Sequence, residues 1–437
     1  MSEKNLASLN DLASMAKRRG FLFQSSEIYG GLGGCWDYGP LGIELKNNVK
    51  ERWWKSMTYR SDIEGIDASI LMNATVWEAS GHVENFFDPM VDCKKCKSRF
   101  RADKVDLTAA CPVCGTKGEF TEARNFNLMF KTQVGAVEDS SAVVYLRPET
   151  AQGIFVNFLN VQGTMRQKLP FGIAQIGKAF RNEITPGNFI FRLREFEQME
   201  MQYFVAPGTQ LTHFEAWKEL RMKWHLENGI RKEKLRYLVH EKLAHYADHA
   251  VDIEYEFPGG WEEMEGIHSR TDFDLRRHQE YSKKNLQYVD QSDGNKKFIP
   301  YVVETSAGCD RSVLAVMCDA YRVEFPGDPL QERVVMRFHK KIAPIKMAVL
   351  PLMKKPELEA VADKIYQEIQ KSVKSEYDTS GSIGKRYRRQ DEIGTPYCAT
   401  IDYDSLTDHK ITIRDRDSMK QERVAIDQID NFLKDNL

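Results

Sequence analysis

The segment Phe191-Arg-Leu-Arg-Glu-Phe-Glu-Gln-Met-Glu-Met-Gln-Tyr-Phe204 constrains this chain more than any other. Read as a strand, its side chains alternate between two faces. Phe196, Gln198, Glu200 and Gln202 then share one face. A run of polar groups with one aromatic is costly as ordinary core and suits the floor of a ligand site. The preceding stretch Gly177-Lys-Ala-Phe-Arg-Asn-Glu183 reads as a partner strand across a short loop, with Arg181 and Glu183 on one face. Alone, an Arg-x-Glu pair reads as a surface ion pair; beside a polar floor it reads as part of a site.

Four of the eight cysteines form two pairs, Cys93-x-x-Cys96 and Cys111-x-x-Cys114, with fourteen residues between them. Such knuckles bring four thiolates to one tetrahedral ion, and an all-cysteine set leaves no open position for chemistry. A structural Zn²⁺ site is expected, in an insert spanning about 90–125. The remaining cysteines, Cys35, Cys309, Cys318 and Cys398, are scattered and read as free thiols.

The rest of the chain supplies two units around these features. Residues 6–20 carry leucines and alanines at helical spacing. Pro40 opens a second helix in which Leu45, Val49 and Trp53 recur every four residues. The glycine cluster Gly30–Gly34 lacks the Gly-Lys-Ser/Thr of a phosphate-binding loop. Strands are expected over about 126–205, a helical insert over 209–250, and strands at 251–257 and 298–306. After a linker at 340–346, a smaller α/β unit is expected: strand 346–350, helix 357–374, strands 395–403 and 410–414. The domains divide as 1–340 and 341–437. Lysine plus arginine (62) nearly balances aspartate plus glutamate (64), so any nucleic acid must be held by local patches. The N-terminal twenty residues are polar, and the apolar run near Ala348 is short and contains Pro351. A cytoplasmic protein with no membrane association is expected.

Phe180-Arg-Asn-Glu183, the loop and Arg192…Phe196 resemble motif 2 of the class II aminoacyl-tRNA synthetases. Gly308-Cys-Asp-Arg311, opening an apolar helix, resembles motif 3, and the Pro40 helix resembles motif 1. Further segments are similar to the dimeric glycyl-tRNA synthetase family within that class. They are Tyr29-Gly-Gly, Trp36–Gly42, Glu78–Val83, Arg101-Ala-Asp103, Leu146–Gly153, Gly260–Gly266, Glu304–Gly308 and Asp391–Pro396, and they run in order along nearly the whole chain.

The resemblance implies an α+β fold: an antiparallel catalytic sheet flanked by helices, the zinc insert, and a C-terminal α/β anticodon-binding domain. It implies that glycine is activated with ATP, giving glycyl-adenylate and pyrophosphate, and then passed to the 3′ end of tRNA(Gly) by a homodimer joined through motif 1. Arg181 would bridge the glycine carboxylate and the α-phosphate, two anions whose repulsion a planar guanidinium cancels better than an ammonium. Arg311 would hold the γ-phosphate, Arg192 would assist on the phosphate tail, Phe196 would stack on adenine, and Glu183 would read its amino edge. Asn182, Phe191, Met264 and Gly308 complete the implied ATP site, and Glu263 and Glu304 would hold Mg²⁺. Glu149, Glu200 and Ser306 would surround the ammonium of glycine, with Arg101, Phe196, Gln198, Glu304 and Gly308 also at the amino-acid site. Lys385, Arg386, Arg388 and Arg389 would contact tRNA.

On the residues alone, other readings stand beside these. Glu149 also reads as a helix-capping carboxylate, 261–266 as a solvated acidic turn, Ser306 as a strand hydroxyl, and 385–389 as a solvated helix face. His82, His268 and His278 read as packing or hydrogen-bonding residues rather than metal ligands. A non-catalytic relative that binds nucleic acid, and a synthetase for serine, proline or threonine, are the competing functions.

Overall fold

Proline at the first position of a helix costs nothing, since that N–H has no intrahelical partner. Helix α1 (Pro40–Thr58) begins this way. Its Leu45, Val49, Trp53 and Met57 are all fully or almost fully buried, about 1.5–3 kcal/mol of burial per side chain. The helix lies so close to the segment before it that a Cβ on Gly42 would fall 1.9 Å from the Phe21 carbonyl oxygen, so only glycine fits. The protein is described here from a computed structural model that places residues 3–136, 142–184, 186–187, 189–243, 247–328 and 331–437.

The apolar stripe of α1 packs on a seven-stranded sheet. Its strands are β1 (Ile63–Gly65), β2 (Phe171–Phe180), β3 (Glu195–Val205), β4 (Leu235–Val239), β5 (His249–Phe257), β6 (Gly260–Thr271) and β7 (Tyr301–Gly308). The spatial order is β4-β5-β6-β7-β3-β2-β1, antiparallel throughout except for the β1–β2 pair. One face carries Ala174, Met199, Met201, Ile253, Ile267, Val303 and Ala307, closed off from water by α1, α2 (Gln210–Glu227) and α3 (Cys309–Ala320). Helix α3 is apolar around almost its whole circumference and runs through the middle of this core, as such a helix must. The opposite face is apolar only at one end. There Phe171 and Phe204 meet Phe155 and Phe158 of the helices Ala151–Val156 and Phe158–Met165. Further along β3 the same face turns polar.

The expected run of strands over 126–205 is therefore interrupted. Ile154, Phe155, Phe158 and Val161 have helical spacing, and their burial against the sheet fixes them as helix. The 209–250 stretch is helical only to Glu227 (residues 244–246 lie outside the described set). Leu235–Val239 pairs with β5 as the edge strand, so this region is part of the sheet rather than a helical insert. Residues 260–266 are strand and not a solvated turn. Pro258 and Gly259 form a two-residue hairpin loop with Phe257 opposite Gly260, which sends β6 back along β5. Strand β2 stops at Phe180, so Arg181 and Glu183 sit in the turn beyond it.

The C-terminal unit is a five-stranded sheet with Tyr397–Ile401 at its centre, parallel to Met347–Pro351, which is in turn parallel to the edge strand Ser375–Tyr377. Lys410–Asp415 and Gln421–Ala425 extend it antiparallel. The helix expected over 357–374 spans Pro356–Ile369. Asp391 joins this unit to the larger one: Arg333 of the larger unit donates to it at 2.6 Å, and Arg414 forks onto it at 2.9 and 3.1 Å. Arg416 donates to the carbonyls of Phe338 and Gly394, both at 2.8 Å, which ties the same seam on both sides.

Candidate active site

Where β3 turns polar, the sheet floors a cleft of about 400 Å³. Arg101, Arg181, Glu183, Phe191, Arg192, Phe196, Gln198, Glu263, Met264, Ser306, Gly308 and Arg311 all line it. Strand pairing brings them together: Gln198 lies opposite Gly308, and Glu200 opposite Ser306, on adjacent strands. Asn182 is tied beside the cleft through its N–H to the Leu128 carbonyl at 2.7 Å.

Two arginines are held with part of their fork uncommitted. Arg181 lies between the rings of Phe86 and Phe196, 5.4 and 5.2 Å from their centroids, and its Nε donates to the Pro148 carbonyl at 3.1 Å. Arg311 lies over the Phe191 ring at 4.7 Å. Its Nε donates to the Phe191 carbonyl, and one terminal nitrogen donates to the carbonyl and carboxylate of Glu263. Aromatic faces orient a guanidinium without consuming its hydrogen-bonding edge. The arrangement suits a ligand with several anionic oxygens and a flat apolar group. Arg192, 4.0 Å from Glu183, is a half-buried cation that also lines the cleft.

Beyond Gln198 the floor descends into a cluster of carboxylates. The Gln198 amide spans it, accepting from the Thr150 N–H at 3.2 Å and donating to the Ser306 hydroxyl at 3.4 Å. Glu200, 2% exposed, accepts from the Thr150 hydroxyl and from Gln202 Nε2 at 3.0 Å. Burial, then the nearby charges of Glu304 and Glu149, push its carboxyl well above the ordinary range. Burial also works against the charge on Glu149. His82, 3.4 Å away, together with Gln152 and Arg270, outweighs burial and holds that carboxyl well below the ordinary range. Glu149 therefore pairs with the side chains of His82 and Gln152 and does not cap the helix that follows it. The cluster gathers the carboxyls of Glu149, Glu200 and Glu304, and a small cation with several N–H donors would complement it by favouring the ionised form of Glu200.

Glu304 is placed differently from the expectation. Like Glu149 and Glu200 it lies behind the cleft lining, and its two oxygens accept from His268 (2.8 Å), Arg270 (2.8 Å) and Gln202 (2.6 Å). Against its burial, these partners bring its carboxyl down to about 2. Both of its oxygens are thus already engaged by protein donors. The histidines behave as expected: His82 bonds Ser80 and faces Glu149, His268 bonds Glu304, and His278 bonds Gln152.

Three contributors escaped the sequence reading. Arg270 and Phe86 lie outside every quoted segment, and Thr150, inside Leu146–Gly153, carried no role. Arg270 was accessible through alternation, since Gly266, His268 and Arg270 share a face once 260–271 is recognised as a strand.

The cysteine insert forms one wall of the cleft. Its small sheet of Phe87–Asp92, Arg99–Arg101 and Arg124–Asn127 presents Asp88 and Arg101, which pair at 2.9 Å, with Arg101 also forked onto Asp103. At its far end the sulfurs of Cys93 and Cys114, and of Cys96 and Cys111, lie 3.7 Å apart, and all four sit within 4.8 Å of one another. Sulfurs on 2.3 Å arms of a regular tetrahedron are about 3.8 Å apart, whereas a disulfide needs about 2.0 Å. The four thiols fit one tetrahedral metal ion.

In the C-terminal unit the basic cluster divides. Arg386 is 2% exposed and donates to the carbonyls of Pro351, Leu352 and Asp378 at 2.6–3.1 Å, so it cannot face a nucleic acid. Arg389 pairs with Asp378 and the Ser380 carbonyl. Lys385 and Arg388 are exposed on the same helix, Ile383–Ile393.

Residues 130–321 match the family described as tRNA synthetase class II core domain (G, H, P, S and T), and residues 346–436 match the anticodon binding domain family. Over 442 aligned residues the chain is 58% identical to the glycine–tRNA ligase of Treponema denticola, covering 99% of this chain and 98% of that protein. The corresponding enzyme of Chlorobaculum tepidum is 54% identical over 98% of this chain and its own whole length. Among solved structures, a prolyl-tRNA synthetase of Giardia lamblia in complex with prolyl-adenylate superposes with a TM-score of 0.68 over 97% of this chain and 76% of that one. At 14% identity that likeness is one of fold.

Proposed function

The chain belongs to the glycine–tRNA ligase family of class II synthetases, and on that premise we propose how its own residues carry the reaction. It is a ligase that activates glycine with ATP and transfers it to tRNA(Gly). The observation that best supports the residue assignment is the continuity of one strand face. Phe196, Gln198 and Glu200 lead from the arginine-lined cleft straight into the carboxylate cluster.

ATP occupies the cleft, with adenine against Phe196 and its amino edge toward Glu183, and the phosphates toward Arg181, Arg192 and Arg311. Glycine lies deeper, its ammonium among Glu149, Glu200 and the Ser306 hydroxyl, its carboxylate toward Arg181. A glycine carboxylate oxygen attacks the α-phosphorus, the bond to the bridging oxygen breaks, and pyrophosphate leaves. The nucleophile is already ionised, so no general base is needed. The catalytic contribution is positioning and charge neutralisation by the two arginines. In the second step a hydroxyl of the tRNA 3′ end attacks the glycyl carbonyl and AMP departs. Selection of glycine is steric: every competing amino acid is larger, so a chamber closed by Gln198, Thr150 and Ser306 suffices without editing.

Mg²⁺ neutralises the phosphates when bound; Glu263, at the cleft beside Arg311, is the carboxylate suited to it. Zinc in the four-cysteine site is structural, because the set is complete without a water. A homodimer joined through α1 belongs to the same reading. Contact with tRNA falls to Lys385 and Arg388 rather than to Arg386.

Pyrophosphate exchange tests the assignment. Arg311→Ala should lower kcat/KM for ATP by about 100-fold or more. Exchange undiminished in that variant would remove Arg311 from the phosphate site and with it the orientation of ATP.

A further inference from the structure

Strand β3 pairs with β7 only from Gln198 onward, because β7 ends at Gly308, where the chain turns into α3. The N–H of Glu197 thereby loses its ladder partner at the point where the cleft begins. Asp310 replaces it, its Oδ2 accepting from that N–H at 2.8 Å. This one bond joins the two elements that grip ATP in the reading above. Phe196 immediately precedes Glu197, and Arg311 immediately follows Asp310.

The bond places a buried carboxylate beside another, and the compensation comes from α1. Lys46, 7% exposed, reaches Asp310 Oδ1 at 2.9 Å and Glu197 Oε2 at 3.0 Å. Lys50 meets the other oxygen of Glu197 at 2.5 Å, and the Tyr38 hydroxyl donates to Asp310 at 2.7 Å. Two lysines thus face two carboxylates at the cleft wall, beside Tyr38, whose ring lies 4.3 Å from Lys46 Nζ, and beside the buried Cys309. Burial works against the charge on Lys46. Asp310, Cys309 and Glu197 outweigh it and hold the ammonium above the ordinary lysine range. A buried carboxylate deprived of its counter-charge takes up a proton or moves to water, and either change alters the acceptor on which the Glu197 N–H depends.

We propose that Lys46 is a positioning residue for ATP: by neutralising Asp310 and Glu197 it fixes the spacing of Phe196 and Arg311 across the cleft. The inference rests on the placement of ATP given above. Lys46 touches no substrate and acts through Asp310.

The test is steady-state pyrophosphate exchange with ATP and glycine varied separately, on full-length native protein, Lys46→Met, Asp310→Asn and the double variant. Methionine keeps the length and apolar stem of lysine and removes the charge. Lys46→Met should raise KM for ATP about tenfold and change KM for glycine less than about twofold, since the carboxylate cluster lies beyond Gln198. The double variant should fall within about twofold of Lys46→Met, because both act on one bond. Equal shifts in the two KM values, or additive effects in the double variant, would mean that Lys46 serves only to pack α1, and would overturn the proposal. If Lys46→Met does not fold, Lys50→Met, a partly exposed partner of Glu197 alone, should show the same split at about threefold, and no split there is equally decisive. Arg311→Ala run alongside keeps the two levels apart. Exchange lost in Arg311→Ala with KM for ATP unchanged in Lys46→Met refutes this inference alone. Exchange retained in Arg311→Ala refutes the placement of ATP on which it rests.

Discussion

Replacing Glu200 by glutamine changes one charge and almost no volume at the bottom of the site. The carboxyl is 2% exposed and accepts from Thr150 and Gln202, so the amide can keep the cavity filled and one acceptor in place. What it loses is a charged acceptor for the glycine ammonium. Hydrogen bonds to charged groups contribute about 1.5–3 kcal/mol against about 0.5–1.5 for neutral ones, a difference of about 1–2 kcal/mol, or roughly 5–30-fold in affinity. In pyrophosphate exchange KM for glycine should rise by that factor while KM for ATP stays put, because Phe196 and Arg311 are untouched. Stability should not fall. Burial and the neighbouring charges of Glu304 and Glu149 raise the Glu200 carboxyl in the folded state. The stability this group contributes is therefore present at low pH and is lost as pH rises from its unfolded toward its folded value. Glutamine mimics the protonated form, so near neutral pH the variant should melt at or above the native temperature. For the same reason, binding an ammonium must expel that proton, so native KM for glycine should fall with rising pH and the variant should lose this dependence. A variant with KM for ATP and glycine raised together, or with an unchanged pH slope, would show that Glu200 does not face the substrate amine.

Stripping the metal with a chelator should release about one zinc per chain and expose 90–125 to protease. It should also weaken exchange without abolishing it, since Arg101 and Phe86 belong to the cleft wall that the insert supports; a protease-resistant apo insert would contradict a structural zinc. Gly177→Ala places a Cβ 2.2 Å from an Nη of Arg147, whose guanidinium is buried and bound to the carbonyls of Lys178 and Ala68. Thermal denaturation should show a loss of about 1–3 kcal/mol, and glycine binding should weaken because Arg147 leads directly into Glu149 and Thr150. Arg386→Ala should cost about 2–4 kcal/mol by emptying the space of a buried side chain and leaving three carbonyls, that of Pro351 buried, without their donor. Lys385→Ala should leave the melting temperature unchanged and raise KM for tRNA in aminoacylation.

What the sequence disclosed depended on whether a signal was local. The alternation of Phe196, Gln198, Glu200 and Gln202 was sufficient to put all four on one face, and the spacing of the four cysteines was sufficient to bring their sulfurs together. Pro40 and the four-residue repeat after it gave α1 almost to the residue. Strand β6 was hidden because Glu262, Glu263 and Glu265 read as an acidic turn. Glu265 is in fact fully buried, bound to Arg221 at 2.6 Å and His225 at 2.8 Å on the far side of the sheet from the cleft. Its neutralising partners stand some forty residues earlier, and no local pattern announces a pairing of that range. The same blindness explains Glu304 and Arg386. A charged side chain in a motif looks available to a ligand until the fold supplies the arginine or the carbonyls that consume it. Sequence chemistry identified which residue types were needed; the tertiary contacts decided which copies were free to act.

The central claim is that the carboxylate cluster behind Gln198 accepts glycine and nothing larger. It is tested most directly by pyrophosphate exchange with the native protein across glycine, alanine, serine, threonine and proline, each at saturating ATP. Exchange with glycine alone is the predicted result. Alanine or serine supporting exchange as efficiently as glycine would contradict it, because a chamber that admits a side chain cannot be the one described.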